Sequence, residues 1–237
     1  MAHPLVTLAP GVHRIRTMGD WINAFAFEEP DGSLTLIDCG TKRAPKTIVA
    51  ALAALGKHPG DVQRIVMTHA HNDHAGGAAA ILEQSSATGV HAHEGDATFL
   101  TAGARPPLDP TVTAGRVFGR LSAGGFTPVA VAATITDGEV LDIAGGLTVV
   151  HTPGHTPGHV SLLHAPTGVL ITGDSIFNMN ARMRWSYAAF CTSFTQAKET
   201  AQRLADLDYR TAAFTHGPQI DGTGREAIRA FLGRAPR

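Results

Sequence analysis

The sequence has 237 residues, of which 43% are hydrophobic and 16% charged, and its formal net charge is −1. This composition is typical of a globular chain and excludes a disordered one, and the length predicts a single α/β domain spanning residues 1–237. The small net charge excludes a broad electrostatic attraction to nucleic acid or to an anionic membrane.

The N-terminal segment has neither a basic region nor a long apolar run, so no signal peptide is expected. No apolar stretch is long enough to span a bilayer. The two cysteines, Cys39 and Cys191, are expected to be reduced, partly buried thiols. Together these features predict a cytoplasmic protein.

Strands and helices are predicted to alternate along the first half of the chain. They are a hairpin turn at Asp31-Gly32, a helix over 44–55, a strand over 62–67, a loop over 68–72, a helix beginning at Asp73, a strand over 89–93 and a helix over 94–100. Residues 101–112 contain three prolines, which predicts a mobile loop that is a candidate cover for a site.

The second half is predicted to contain more strands than helices. Strands are expected near 128–133, 139–143, 147–150, 159–164, 168–172 and 211–214, with Asp137-Gly138 as a second hairpin turn and helices near 193–207 and 225–232. No repeat or linker divides the chain.

Seven side chains able to bind metal closely follow predicted strands. They are His69, His71, Asp73, His74, His155, Asp174 and His216. Imidazole and carboxylate ligands without cysteine suit zinc, iron or manganese in a catalytic site. Seven ligands are enough for two metals with positions left open for water and substrate.

The spacing of the first four ligands predicts how they are shared. His69 and His71, two residues apart in a loop, can reach one metal, whereas Asp73 and His74 at a helix start can reach a second. Because every ligand follows a strand, we expect one edge of a sheet to present all seven.

At these seven residues, in this order, the chain resembles the metallo-β-lactamase fold superfamily, in the HxHxDH branch that includes glyoxalase II. The resemblance extends over roughly residues 5–230 and implies an α/β fold, a four-layer αββα sandwich. It implies a first metal on His69, His71 and His155. It implies a second metal on Asp73, His74 and His216, with Asp174 bridging the two.

The resemblance also concerns the supporting residues. Asp38, at the end of LTLIDCG, fits the family pattern of a carboxylate that orients a ligand histidine. His159, which ends the same loop as His155, is a candidate for similar support.

The predicted function is that of a metal-dependent hydrolase with two divalent ions, zinc being favoured over iron or manganese. A metal-bridging hydroxide would attack a small ester, thioester or lactone, and Asp73 would orient it and accept its proton. An iron enzyme similar to persulfide dioxygenases, with one metal, is an alternative. A β-lactamase-type amide hydrolase and a non-hydrolytic binding module are less favoured. The expected partner is a small molecule, without nucleic acid or membrane, and a homodimer is left open.

Aromatic and methionine residues crowd into the segment 176–194 after Asp174. This crowding indicates a pocket wall for an apolar acyl or aryl group, with Arg182 or Arg184 available for a carboxylate. Core packing or a dimer contact is an equal alternative. Quorum-quenching lactonases of this family commonly carry tyrosine where this chain has Phe177, and glyoxalase II has a further C-terminal region, whereas only 21 residues follow His216 here.

Overall fold

Two β-sheets packed face to face form the centre of the computed structural model, which describes residues 4–119 and 125–233. The predicted domain limits at residues 1 and 237 lie outside the described residues. The first sheet contains, in spatial order, β1 (Leu5–Ala9), β2 (Val12–Asp20), β3 (Asn23–Glu28), β4 (Leu34–Ile37), β5 (Val62–Val66), β6 (Val90–His93) and β7 (Val131–Ile135). Strands β1 to β4 pair antiparallel, and β4 to β7 pair parallel.

The second sheet lies against the first and is smaller. Its spatial order is β14 (Thr211–Ala213), β11 (Val169–Ile171), β10 (Val160–His164), β9 (Leu147–His151) and β8 (Val140–Leu141). All its pairs are antiparallel except β11 with β14. Strands β12 (Ile176–Met179) and β13 (Arg182–Trp185) form a separate two-stranded ribbon.

Helices cover the outer faces of both sheets. The α-helices in the described part of the chain are α1 (Pro45–Ala54), α2 (Asn72–Ala75), α3 (Ala78–Leu82), α4 (Glu94–Ala102), α5 (Thr113–Gly119), α6 (Phe194–Ala201) and α7 (Gly224–Leu232). Short 3₁₀ helices occur at Pro59–Asp61, Gly173–Ser175, Ala188–Phe190 and Gln202–Ala205. Helices α1, α3 and α4 pack on the first sheet, and α6 and α7 pack on the second, so the predicted four-layer αββα sandwich is confirmed.

The alternation of side chains along the strands explains these layers. In β3, Phe25 and Phe27 are buried between the two sheets, whereas Ala24 and Ala26 face the helical layer. Successive strand residues point to opposite faces, so a strand covered on both faces must be apolar throughout. Four of the five consecutive fully buried residues of β3, Ala24 to Phe27, follow this rule; the fifth, Asn23, is polar and donates hydrogen bonds to the Phe214 and Gly217 carbonyls.

The prediction that Asp137-Gly138 forms a hairpin turn is wrong, because the strands on either side of it do not pair with each other. A turn forms there, with Gly138 at a φ of +77°, but it leads from β7 in the first sheet to β8 in the second. Turn chemistry is local, whereas the choice of pairing partner depends on the tertiary packing of β7 on β6 and of β8 on β9.

The helix predicted from Asp73 is broken into α2 and α3 at Gly76 and Gly77. A side chain at either glycine would collide with the backbone near Cys39 or Lys42, so the break lets this segment pack closely against the loop after β4. The predicted helix over 193–207 likewise divides into α6 and a 3₁₀ turn.

The loop predicted over 101–112 begins after α4 and is held at its far end. Asp109 donates its backbone N–H to the Cys191 carbonyl over 2.7 Å, and its carboxylate accepts the N–H of Phe194. Helix α5 and the β12–β13 ribbon were not predicted. None of the helices in the described residues is long and apolar enough to cross a membrane.

Candidate metal centre

The seven predicted ligands come together at one end of the sandwich. Four follow β5: His69 and His71 lie in the loop, and Asp73 and His74 lie in α2. The other three come from the second sheet, each after a strand: His155 after β9, Asp174 after β11 and His216 after β14. The site therefore joins the ends of two sheets, which corrects the expectation that one sheet edge presents all seven.

The first group of donor atoms consists of His69, His71 and His155. Their ring nitrogens lie within 4.8 Å of one another, and His71 Nδ1 is 2.9 Å from His155 Nε2. Asp174 Oδ2 lies 3.2 Å from His155 Nε2 and 3.8 Å from His69 Nε2. One carboxylate oxygen thus faces this group.

The second group consists of Asp73, His74 and His216, again within 4.8 Å of one another. The other oxygen of Asp174, Oδ1, lies 3.3 Å from the Nε2 atoms of both His74 and His216. Asp73 Oδ2 lies 3.6 Å from His216 Nε2. Asp174 therefore turns one oxygen toward each group, the arrangement that a bridging ligand needs.

The outward-facing nitrogens of several ligand histidines have partners that fix the ring. Thr68 donates its hydroxyl to Asp38 Oδ2 over 2.7 Å, so the Thr68 oxygen accepts from His69 Nδ1 at 3.0 Å. His74 Nδ1 donates to the same Asp38 oxygen over 2.7 Å. His216 Nδ1 donates to the Trp21 carbonyl over 2.6 Å. Each of these contacts occupies Nδ1 and points Nε2 into the cluster.

The donor atoms satisfy a physical test for a cation. The Nε2 atoms of His69 and His74 are buried and form no hydrogen bond with any described residue. A buried nitrogen without a hydrogen-bond partner costs free energy, and a metal ion can accept the lone pair of a nitrogen that points inward. The first group offers three imidazoles, and the second offers two imidazoles and the Asp73 carboxylate. Both sets match the ligand chemistry of zinc.

In the metal-free protein the electrostatics of the cluster favour the ligating protonation state for His69, His71 and Asp174. Burial lowers the pKa of His69 and His71 well below the ordinary value, and neighbouring imidazoles add to this effect. Burial alone would raise the pKa of Asp174, but the surrounding imidazoles, with His216 and His74 first, hold it well below the usual range. Burial lowers the pKa of His74, His155 and His216, but the Asp174 carboxylate outweighs it and raises all three, that of His155 to about 10. Because neutral imidazole and ionised carboxylate are the forms that bind metal, an ion would displace protons from these three histidines.

The two residues expected to support the site both lie directly behind its donor groups. Asp38 is fully buried, accepts from Thr68 and His74, and adopts a φ of +59°, a left-handed conformation. His159 Nε2 accepts the backbone N–H of Asp174 over 2.7 Å, and its Nδ1 lies 2.9 Å from the Thr152 hydroxyl. His159 thus holds the backbone of Asp174, and none of its hydrogen bonds in the described residues goes to a donor histidine.

A cavity of about 480 Å³ opens onto the cluster. Beside the ligands, its lining includes Met18, Trp21, Ile22, Arg105, Leu108, Phe177, Met179, Tyr187 and Phe190. The segment after Asp174 therefore supplies part of the pocket wall, whereas its residues Ile176, Met183 and Trp185 pack in the core. Of the described arginines, Arg105 lines the cavity in place of the expected Arg182 or Arg184.

The family model described as the metallo-beta-lactamase superfamily matches residues 21–216, more than three quarters of the chain. The chain belongs to the metallo-β-lactamase superfamily. All seven donor residues and both supporting residues fall within the matched range.

Relatives within the superfamily differ in how much of their length is matched. An uncharacterized protein of Bacillus subtilis, YobT, is 30% identical over 208 residues, which is 83% of this chain and 83% of the relative. An N-acyl homoserine lactonase of Azorhizobium caulinodans is 29% identical over 72% of this chain and 63% of its own. A hydroxyacylglutathione hydrolase of Cereibacter sphaeroides is 32% identical over 56% of this chain, but only 45% of the hydrolase is covered.

Solved structures of superfamily members share the fold. A metallo-beta-lactamase of Cronobacter sakazakii, mutated in its HARLDQ motif, aligns with a TM-score of 0.75 at 22% identity over 98% of this chain and 94% of its own. MEM-A1, a subclass B3 metallo-beta-lactamase from a soil metagenome library, aligns with a TM-score of 0.72 at 23% identity, covering 98% and 92% of the two chains.

Some residues around this superfamily site were not found from the sequence. Cys191 is buried, and its Sγ lies 3.5 Å from His155 Nδ1, the position at which a ligand histidine usually has a supporting partner. Trp21 lines the pocket with more than half of its surface exposed. The sequence offered no signal for either residue, because neither lies near a donor residue along the chain.

Proposed function

We propose that this protein is a binuclear metal-dependent hydrolase acting on a small ester, thioester or lactone. The observation that carries the proposal is the position of Asp174, whose two oxygens face two separate groups of donors. A site built for one metal needs no carboxylate shared in this way.

The donor atoms assign a holder to each ion. His69, His71 and His155 would hold the first, Asp73, His74 and His216 the second, and Asp174 would contact both. Zinc fits these ligands best, because it accepts imidazole and carboxylate in open four- or five-coordinate sites. When bound, two such ions supply an acidified water and polarise the oxygen of a substrate carbonyl.

Asp73 is the carboxylate best placed to move a proton. It lines the cavity, and its side chain is 31% exposed, compared with 4% for Asp174. A carboxylate that reaches both the donor cluster and the open cavity can accept a proton from the attacking water and return it to the leaving group. His159 and Thr215 hold Asp174 by hydrogen bonds, which suits it to a fixed role between the two donor groups.

The cavity supports a substrate with an apolar group. Trp21, Tyr187 and Phe190 surround its mouth and keep about half of their surface exposed, so an apolar acyl or aryl group would cover surface that is otherwise in contact with water. The names of the relatives, a hydroxyacylglutathione hydrolase and an N-acyl homoserine lactonase, support hydrolysis of acyl compounds. A cytoplasmic location and a small-molecule partner belong to the same proposal.

The test begins with metal content. We expect elemental analysis of protein purified without chelator to give about two zinc ions per chain, and a panel of aryl esters, thioesters and lactones to show metal-dependent hydrolysis. His69→Ala and Asp174→Ala should lose metal and activity, whereas the control His58→Ala, on an exposed histidine, should retain both. About one iron per chain with oxygen uptake, or full metal content in both site variants, would contradict the proposal.

A further inference from the structure

A fully buried carboxylate outside the donor cluster connects two of the ligand loops. Asp96 lies in the first turn of α4 and has no exposed surface. It accepts three hydrogen bonds, each 2.7 Å long, from the Ala70 N–H, the Thr156 hydroxyl and the Gly158 N–H. Among the described residues, no lysine or arginine forms an ion pair with Asp96, so these three donors are what compensates its burial.

The positions of the three donors give Asp96 its significance. Ala70 lies between His69 and His71 in the loop after β5. Thr156 directly follows His155 in the loop after β9, and Gly158 directly precedes His159. One carboxylate therefore holds the loop of the first sheet to the loop of the second at the level of the first donor group.

The packing around Asp96 leaves little freedom for this connection. A side chain at Gly158 would collide with the backbone and carboxylate of Asp96, and a side chain at Gly95 would collide with the backbone of Pro157 and Gly158. The two glycines allow α4 to approach the loop closely enough for the carboxylate to reach both sheets. The distance between α4 and the loop after β9 is thus set by direct backbone contact, and the hydrogen bonds of Asp96 connect both to Ala70 in the loop after β5.

From this geometry we infer that Asp96 is a positioning residue for the first metal. It holds His69 and His71 at the distance from His155 that one ion requires, without contacting the ion or the substrate. The inference rests on the proposed metal centre and adds a residue to it. Groups that orient metal ligands from behind typically change metal affinity by about 10–100-fold when they are altered.

Asp96→Asn is the sharpest perturbation, because it preserves the shape of the side chain. All three partners are donors, so an amide can satisfy them through its single oxygen only, while its NH₂ group faces another donor. We expect affinity for the first zinc ion to fall by about 10–100-fold and affinity for the second to stay within about twofold. Competition with a chromophoric chelator measures both affinities in the full-length protein, and the visible absorption of the cobalt(II) form should change with the first ion.

Asp109→Asn is the matched control. Asp109 is also a buried carboxylate, and its side chain accepts hydrogen bonds from Thr111 and Phe194, outside the ligand loops. We expect the control to lower the unfolding temperature of the metal-free protein while leaving both zinc affinities unchanged. Thr156→Val removes one of the three donors and gives a milder variant if Asp96→Asn does not fold; its first-ion affinity should fall less.

The outcomes separate this inference from the proposed function. If Asp96→Asn binds two zinc ions with wild-type affinities, the positioning role alone is overturned. Where only the milder variant folds, the same result in Thr156→Val overturns it. An equal loss of affinity in Asp109→Asn would also overturn it, because the effect would then follow from general instability. Wild-type protein that takes up no zinc would overturn the metal centre and, with it, this role.

Discussion

Replacing Asp38 by asparagine should weaken metal binding more than it weakens the fold. Asp38 accepts three hydrogen bonds, from the Thr68 N–H, the Thr68 hydroxyl and His74 Nδ1. Asparagine preserves the shape and tolerates the left-handed φ of +59°. It has one acceptor oxygen in place of two, so one buried donor loses its partner, at a cost of about 1–3 kcal/mol of unfolding free energy.

The effect on metal follows from the histidine tautomer. If the amide NH₂ faces His74, Nδ1 becomes the acceptor and the proton moves to Nε2, the atom that faces Asp174 Oδ1 at 3.3 Å. A protonated nitrogen cannot ligate. Affinity should fall by about 10–100-fold, which corresponds to about 1.4–2.7 kcal/mol. His69 depends on the same carboxylate through Thr68, so both ions should be affected.

Urea unfolding in the presence of chelator measures the first effect, and chelator competition measures the second. Asp208→Asn, at an almost fully exposed carboxylate, is the control and should leave both quantities unchanged. Asp38→Ala should be worse, because alanine adds backbone strain of about 1–2 kcal/mol at positive φ and leaves all three donors unpaired. Wild-type zinc affinity in Asp38→Asn would refute the tautomer argument.

Three further predictions concern the same end of the molecule. Cys191→Ala removes the sulfur beside His155 Nδ1 and should weaken zinc binding, whereas Cys191→Ser, which keeps an acceptor, should weaken it less. Equal zinc affinities of the two variants in chelator competition would contradict this. Trp21→Ala should raise KM for an aryl ester by about tenfold with metal content unchanged. The control Val140→Ala, at an exposed apolar residue on β8, should leave KM unchanged. A wild-type KM in Trp21→Ala would show that Trp21 does not contact the substrate. Chelator treatment should abolish ester hydrolysis and lower the unfolding temperature, since bound metal stabilises the folded state; activity that survives complete removal of metal would exclude a metal-dependent mechanism.

The fold was predictable where a short apolar run directly precedes a ligand. The strand predicted near 168–172 is observed at Val169–Ile171, two residues before Gly173 and three before Asp174, and the strand predicted at 211–214 is observed at Thr211–Ala213. In such segments periodicity, length and the following turn all favour the same structure. The order and identity of the ligands then indicated the superfamily.

The remaining features depend on contacts between distant parts of the chain. Asp96 and Ala70 are 26 residues apart, and Asp96 and Gly158 are 62 apart, so no local pattern could indicate that a carboxylate in HEGD would hold two loops. The partner of β8 after Asp137-Gly138 was wrong for the same reason. Trp21 reaches the pocket from β2–β3, far in sequence from the segment 176–194 that was expected to form the wall.

The division of the ligands between two sheets has a consequence for the order in which the molecule assembles. The run from His69 to His74 is synthesised long before His216, and neither half of the chain holds a complete set of donors for both ions. In the proposed metal centre, the complete donor sets would therefore form only when the two sheets dock. Bound metal would then hold the two sheets together, and hydrogen exchange at β5 and β11 should slow together when zinc is added.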